Sequence, residues 1–144
     1  MKKEYFPAIH QLITTGHWIT DQVSQVLKEY EVTEPQYNVL RILSEAGGGP
    51  IAVQDILEKM VQRSSNVTRI CDKLLAKGYV NRAACPTNRR KMDITLTAEG
   101  EKLPALLDKK VFELHEPFMG NLSEAELKTL KDLIIKLKTK HSNE

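Results

Sequence analysis

The 144-residue sequence lacks most of what a membrane protein, a secreted scaffold or an enzyme would need. No apolar run approaches the roughly 18 residues of a membrane-spanning helix. The opening Met1-Lys2-Lys3-Glu4-Tyr5-Phe6-Pro7 lacks the apolar core of a signal peptide, so a cytoplasmic protein is expected. The two cysteines, Cys71 and Cys85, match no metal spacing, and in a cytosolic chain they argue against a structural disulfide. The four histidines, His10, His17, His115 and His141, form no helical ligand pair or zinc signature. His115, with Glu113 and Glu116, is the only cluster of that kind, and no metal or cofactor is expected. No nucleophile–base–orienter set, paired carboxylates or phosphate loop can be named, so an enzyme is not expected. Aromatic residues are few, at 6%, with Trp18 the single tryptophan. There is no internal repeat and no low-complexity stretch.

What remains is a globular composition, 41% hydrophobic and 28% charged, of a length that suits one domain over residues 1–144. The formal net charge of +2 hides an asymmetry. Residues 51–95 hold nine Lys/Arg against four Asp/Glu, a net +5, and leave −3 for the rest. A basic middle between mildly acidic ends is the footprint of a localised nucleic-acid face.

The pattern within Ser64–Gly100 is the most informative. Ser64 and Ser65 read as N-cap residues of a short helix. Val67, Ile70, Cys71, Leu74 and Leu75 form one apolar stripe at 3.6-residue spacing. Asn66, Thr68, Arg69, Asp72, Lys73 and Lys77 occupy the other face. Gly78 follows where a left-handed C′ residue is expected. Tyr79–Ala84 and Lys91–Leu96 read as a hairpin, the second strand alternating Met92, Ile94 and Leu96 with polar residues. Pro86, Thr87, Asn88, Arg89 and Arg90 form its basic tip, and Thr97 caps the next helix. A short helix with a polar face beside a hairpin with arginines suits duplex DNA, the helix in a major groove and the hairpin on phosphates or a minor groove.

The flanking segments are helical. A first helix spans about residues 5–30, with Ile9, Leu12, Ile13, Ile19, Val23, Val26, Leu27 and Tyr30 recurring near helical spacing. Thr33-Glu34-Pro35-Gln36 has the form of a capping box and opens a second helix that Gly47-Gly48-Gly49-Pro50 ends. Ile51 and Ala52 can add a strand to the hairpin. A third helix over Val53–Met60 supports the one after it through Ile56, Leu57 and Met60. A long helix runs from Ala98 to about Glu116, kinked at Pro104 and broken by Pro117 and Gly120-Asn121. Ser123-Glu124-Ala125-Glu126 caps the last helix, which carries Leu127, Leu130, Leu133, Ile134 and Leu137. The terminal helices hold more apolar positions than a monomer of this length readily buries. They are expected to bury each other across a two-fold axis in a homodimer, which would present two recognition helices to a pseudo-palindromic operator.

These residues resemble the MarR (multiple antibiotic resistance) family of winged-helix repressors. The likeness lies in Ser65-Asn66-Val67-Thr68-Arg69, the Leu74–Gly78 helix end, Arg82, Arg89-Arg90, and Leu96-Thr97 with Gly100, and it extends to length and helix order. The wing pattern is Asp-x-Arg followed by Leu-Thr-x-x-Gly; Arg90 matches its arginine, while Asn88 stands where the aspartate sits. The resemblance implies a mainly α fold with a small β-hairpin wing. Its winged helix-turn-helix unit, about residues 33–97, would be flanked by dimerisation helices over about 5–30 and 98–140. It also implies a repressor released by a small aromatic or phenolic ligand lying between the first helices and the DNA-binding unit, with His17, Trp18 and Tyr37 at that cleft. Plain packing is the competing role for Trp18 and Tyr37.

Ser64, Ser65, Asn66, Thr68 and Arg69 are the expected readers of the duplex, Arg69 suiting a guanine edge and Asn66 an adenine edge. Lys73 and Lys77 are expected to meet phosphates or solvent, and Arg89, Arg90 and Lys91 the backbone or the minor groove, with tying down the wing an equal alternative for Arg90. Two other functions compete: an oxidant-sensing regulator using Cys85, whose thiol Arg89 and Arg90 would acidify, and a winged-helix interaction module that binds no DNA.

Overall fold

The computed structural model describes residues 2–62 and 66–140. In order it contains α1 (Tyr5–Glu29), α2 (Glu34–Glu45), β1 (Ile51–Ala52), α3 (Val53–Lys59), α4 (Val67–Ala76), β2 (Val80–Cys85), β3 (Asn88–Leu96), α5 (Ala98–Met119) and α6 (Glu124–Leu137). Its internal contacts separate into two units, Met1–Val111 and Phe112–Glu144.

Local chemistry sets the element ends. Thr33 and Gln36 form the expected capping box at the start of α2, with Pro35 in its first turn. Gly78 takes φ +77°, and two backbone bonds, Gly78 N–H to Leu75 O and Tyr79 N–H to Leu74 O, close α4 in a Schellman stop. At the end of α1 the same stop is made by Glu31, at φ +55°. Its N–H donates to Lys28 O and that of Val32 to Leu27 O.

The three strands form an antiparallel sheet in the order β1-β3-β2, so Ile51 and Ala52 do add a strand, opposite Ile94 and Asp93. The main core of unit 1 lies between this sheet and α2, α3 and α4. Leu40, Leu43, Ile56, Cys71, Leu74, Val80 and Ile94 are essentially inaccessible there. Each such aliphatic side chain stabilises the fold by about 1.5–3 kcal/mol. A second cluster, Leu27, Val32, Tyr37 and Leu107, joins the end of α1 to α2 and α5.

Several expectations need correction. Asn66, rather than a serine, is the N-cap of α4, and Ser64 and Ser65 lie outside the described residues. Leu75 is 37% exposed and leaves the apolar stripe to Val67, Ile70, Cys71 and Leu74. The hairpin tip is narrower than expected, because β3 begins at Asn88 and only Pro86 and Thr87 lie between the strands. The register shifts between Ala84, opposite Met92, and Cys85, opposite Asn88, so Arg89, Arg90 and Lys91 are extra residues on β3. Pro117 does not end α5, which continues to Met119. In its last turn the missing N–H forfeits one bond, and the helix stops where Gly120 follows.

Unit 2 carries the end of α5 and α6. The α6 capping box forms, with Ser123 N–H to Glu126 Oε2 at 2.8 Å and Glu126 N–H to Ser123 Oγ at 3.2 Å. No residue of α6 is buried, and Leu127, Leu130, Leu133, Ile135 and Leu137 are all exposed.

Candidate nucleic-acid interface

The helix expected to read DNA is built so that one side is spent on the core and the other is left free. Val67, Cys71 and Leu74 are buried, whereas Thr68, Arg69 and Lys73 are exposed. Asn66 Oδ1 accepts from Arg69 N–H at 3.1 Å. That cap commits one lone pair of the oxygen that an adenine contact would use, so the first task of Asn66 is to start the helix. Asp72 pairs with Arg82 of β2 and braces the helix against the hairpin. Lys77 does not join Lys73 on the outer face. Its ammonium donates to Glu31 O and to Gln36 Oε1.

Past Gly78 the chain is locked to α5. Thr97 Oγ1 donates to Gly78 O at 2.6 Å and accepts from Gly100 N–H at 3.0 Å, so it caps α5 and holds the end of α4 together. A Cβ on Gly100 would lie 1.9 Å from Tyr79 O. The spacing Leu96-Thr97-x-x-Gly100 is therefore a joint between α4 and α5.

On the wing, Arg89, Arg90 and Lys91 are all exposed. Asn88 Oδ1 accepts from Arg90 N–H at 3.1 Å, an Asx turn. The turn of the wing is thus steadied by a bond between the Asn88 side chain and the Arg90 backbone amide. Between β1, the start of α3, α4 and the hairpin lies a cleft of about 400 Å³. It brings Thr68 together with Arg90 and Lys91, adds Arg82 and Gln54, and has Cys71 and Met92 in its wall. Arg69, Lys73 and Arg89 are not in that lining.

The two thiols differ. Burial, and then the charge of Asp72, push Cys71 up to about 11. Hydrogen bonding from Thr87, whose hydroxyl lies 3.3 Å from Sγ, lowers the Cys85 pKa. Thr87 therefore has the place that Arg89 and Arg90 were expected to fill.

The expected effector residues are not gathered at one cavity. His17 and Trp18 are exposed on α1. Tyr37 is buried in the second cluster, where its hydroxyl donates to Asp108 and the Arg41 guanidinium lies 5.7 Å from its ring centroid. Burial, then the bond to Asp108 and its charge, hold that hydroxyl above the ordinary phenol range. Arg41 Nε is 3.6 Å from Asp108 and Nη2 is 3.4 Å from Glu45. Arg41 also faces a polar cleft of about 520 Å³ with Asn38, Glu45 and Lys59. Arg41 follows Tyr37 at i+4, a spacing that could have flagged it. Asp108 is 71 residues away, and only the fold reveals it.

Among the described residues no group of His, Cys, Asp and Glu could hold a metal, and no helix is long and apolar enough to cross a membrane.

Comparison with known proteins places this geometry. The "MarR family" pattern matches residues 32–92, from just before the cap of α2 into β3 of the wing. The HTH-type transcriptional regulator YpoP of Bacillus subtilis, itself uncharacterized, is 30% identical over 85% of this chain and 84% of its own length. The fold matches that of a MarR mutant from Escherichia coli in complex with operator DNA. That match has a TM-score of 0.79 and 23% identity, and covers 96% of this chain and 99% of the other. NadR in complex with 4-hydroxyphenylacetate matches with a TM-score of 0.68 and 28% identity, over 90% and 92% of the two chains. With a free polar face on its short helix, a sheet-borne basic wing and these relatives, the chain belongs to the MarR family of transcriptional regulators.

Proposed function

We propose that this protein is a homodimeric, sequence-specific repressor that binds a pseudo-palindromic duplex operator and is released by a small aromatic or phenolic acid. The observation that carries the DNA reading is the cleft joining Thr68 of α4 to Arg90 and Lys91 of the wing, beside the exposed Arg69. In this reading Thr68, Arg69 and the free amide group of Asn66 read base edges. Lys73, Arg89, Arg90 and Lys91 hold phosphates or the minor-groove wall. Ser64 and Ser65, just before the helix, complete the set. Residues 1–144 act as one domain in the cytoplasm.

The dimer reading is supported by the apolar residues left uncovered on the terminal helices, among them Phe6, Ile13, Phe112, Leu130 and Leu133. The effector reading is supported by NadR, whose complex holds 4-hydroxyphenylacetate, and by the Tyr37–Arg41–Asp108 network. Arg41 offers a cation to a carboxylate, and His17 and Trp18 of α1 would meet the ligand within the dimer.

Sequencing the genomic duplex fragments retained by the purified protein tests the function. A shared inverted repeat is the expected result, and retention without any common sequence would overturn it. Adding 4-hydroxyphenylacetate and related phenolic acids should change Trp18 fluorescence and release the operator together. Release by a compound that leaves Trp18 silent would contradict the effector site.

A further inference from the structure

Lys77 is the C-cap of the recognition helix, and its side chain reaches back to the junction of α1 and α2. There the ammonium donates to two oxygens. One is the carbonyl of Glu31, the one described non-glycine residue with positive φ, which closes α1. The other is Oε1 of Gln36, at 3.1 Å. Gln36 is 3% exposed, the one buried polar side chain among the described residues, and the same oxygen accepts from Thr33 N–H at 3.2 Å. A single cation thus ties the ends of α1, α2 and α4 at one point.

The position matters because the end of α4 has little else on that side. Leu75 and Ala76 are exposed, and the buried stripe stops at Leu74. Thr97 restrains Gly78 from the α5 side, and Lys77 restrains the helix end from the α1–α2 side. Two of the three ammonium donors are already used, which leaves little for a phosphate.

We propose that Lys77 is a positioning residue for DNA reading: its ammonium latches the recognition helix to the α1–α2 junction and so fixes the angle at which Thr68 and Arg69 meet a duplex. A change at α1 then reaches α4 through this bond. The proposal rests on the DNA-binding reading above.

The test measures the full-length wild type and the variants Lys77→Met, Gln36→Leu, Gln36→Glu and Lys77→Met/Gln36→Leu. Binding to the selected operator and to a scrambled duplex is followed over one salt series, with thermal unfolding alongside. Lys77→Met should weaken operator binding about tenfold while binding to the scrambled duplex holds, with the slope of log K against log salt unchanged. The double variant should bind no worse than the weaker single one, because the Lys77–Gln36 bond is lost in both. Gln36→Glu keeps both acceptor roles and should stay within about twofold of wild type; it serves as the reference if Gln36→Leu unfolds. A slope reduced by about 2 in Lys77→Met would make Lys77 a phosphate contact on each subunit of a dimer and overturn the latch. Operator preference equal to wild type in Lys77→Met, or additive losses in the double variant, would overturn it as well. If the wild type itself shows no preference for any duplex, the DNA reading fails and the latch fails with it.

Discussion

Cys71 and Cys85 show how position decides the chemistry of a residue type. Cys71 is 2% exposed on the buried face of α4, and its thiol is pushed up to about 11 from 9.0. A raised thiol pKa means that the folded state holds its proton where the unfolded chain would release it. Stability from this group is therefore complete below about pH 9 and falls as pH rises towards 11. Urea unfolding from pH 8 to pH 11 should show that decline, and Cys71→Ala should flatten it. A decline of equal size in the variant would assign it to other groups. Cys85 is half-buried with a lowered pKa, so a thiol reagent at pH 8 should modify it at once and reach Cys71 only on unfolding. Equal reaction rates for the two in the native protein would contradict the burial of Cys71.

Joints between elements decide where a side chain can be tolerated. The end of α4 and the start of α5 meet with no room for a side chain at Gly100, because the obstacle is the backbone oxygen of Tyr79. Gly100→Ala should destabilise the protein by at least about 1–3 kcal/mol. Gly16 lies within α1 with nothing near its missing Cβ, so Gly16→Ala should stabilise by about 0.5–1 kcal/mol. Urea midpoints for the two variants should move in opposite directions, and a shared direction would sink the joint. The elements themselves were legible wherever the signal is local. Thr33 with Gln36, Ser123 with Glu126, and Gly78 each act within a few residues, and all formed as read. The contacts that organise the site were not legible. Arg82 to Asp72 spans 10 residues, Lys77 to Gln36 41, and Tyr37 to Asp108 71. No periodicity encodes which distant polar groups will meet. Pro117 does not mark the end of α5 because a proline in a last turn costs one bond, and the sequence does not show how near the end it lies.

At the scale of the whole molecule, the exposed large apolar residues lie mostly on α1, α5 and α6. Leu127, Leu130, Leu133, Ile135 and Leu137 leave α6 without a buried residue, which suits a helix that meets a second copy. Sedimentation equilibrium at micromolar concentration should give twice the chain mass of 16.4 kDa. Leu130→Lys/Leu133→Lys should bring it to the single mass, and a wild-type monomer would contradict the dimer. The central claim is that α4 reads sequence while the wing holds the duplex, and it is tested most directly by a salt-dependent binding series. Wild type, Arg69→Ala and Arg89→Ala are each measured on the selected operator and on a scrambled duplex. Arg69→Ala should cost about 1–3 kcal/mol on the operator only. Arg89→Ala should weaken both duplexes alike and lower the salt slope by about 2, one contact per subunit. Equal losses on both duplexes for Arg69→Ala, or altered base preference with an unchanged slope for Arg89→Ala, would contradict the account.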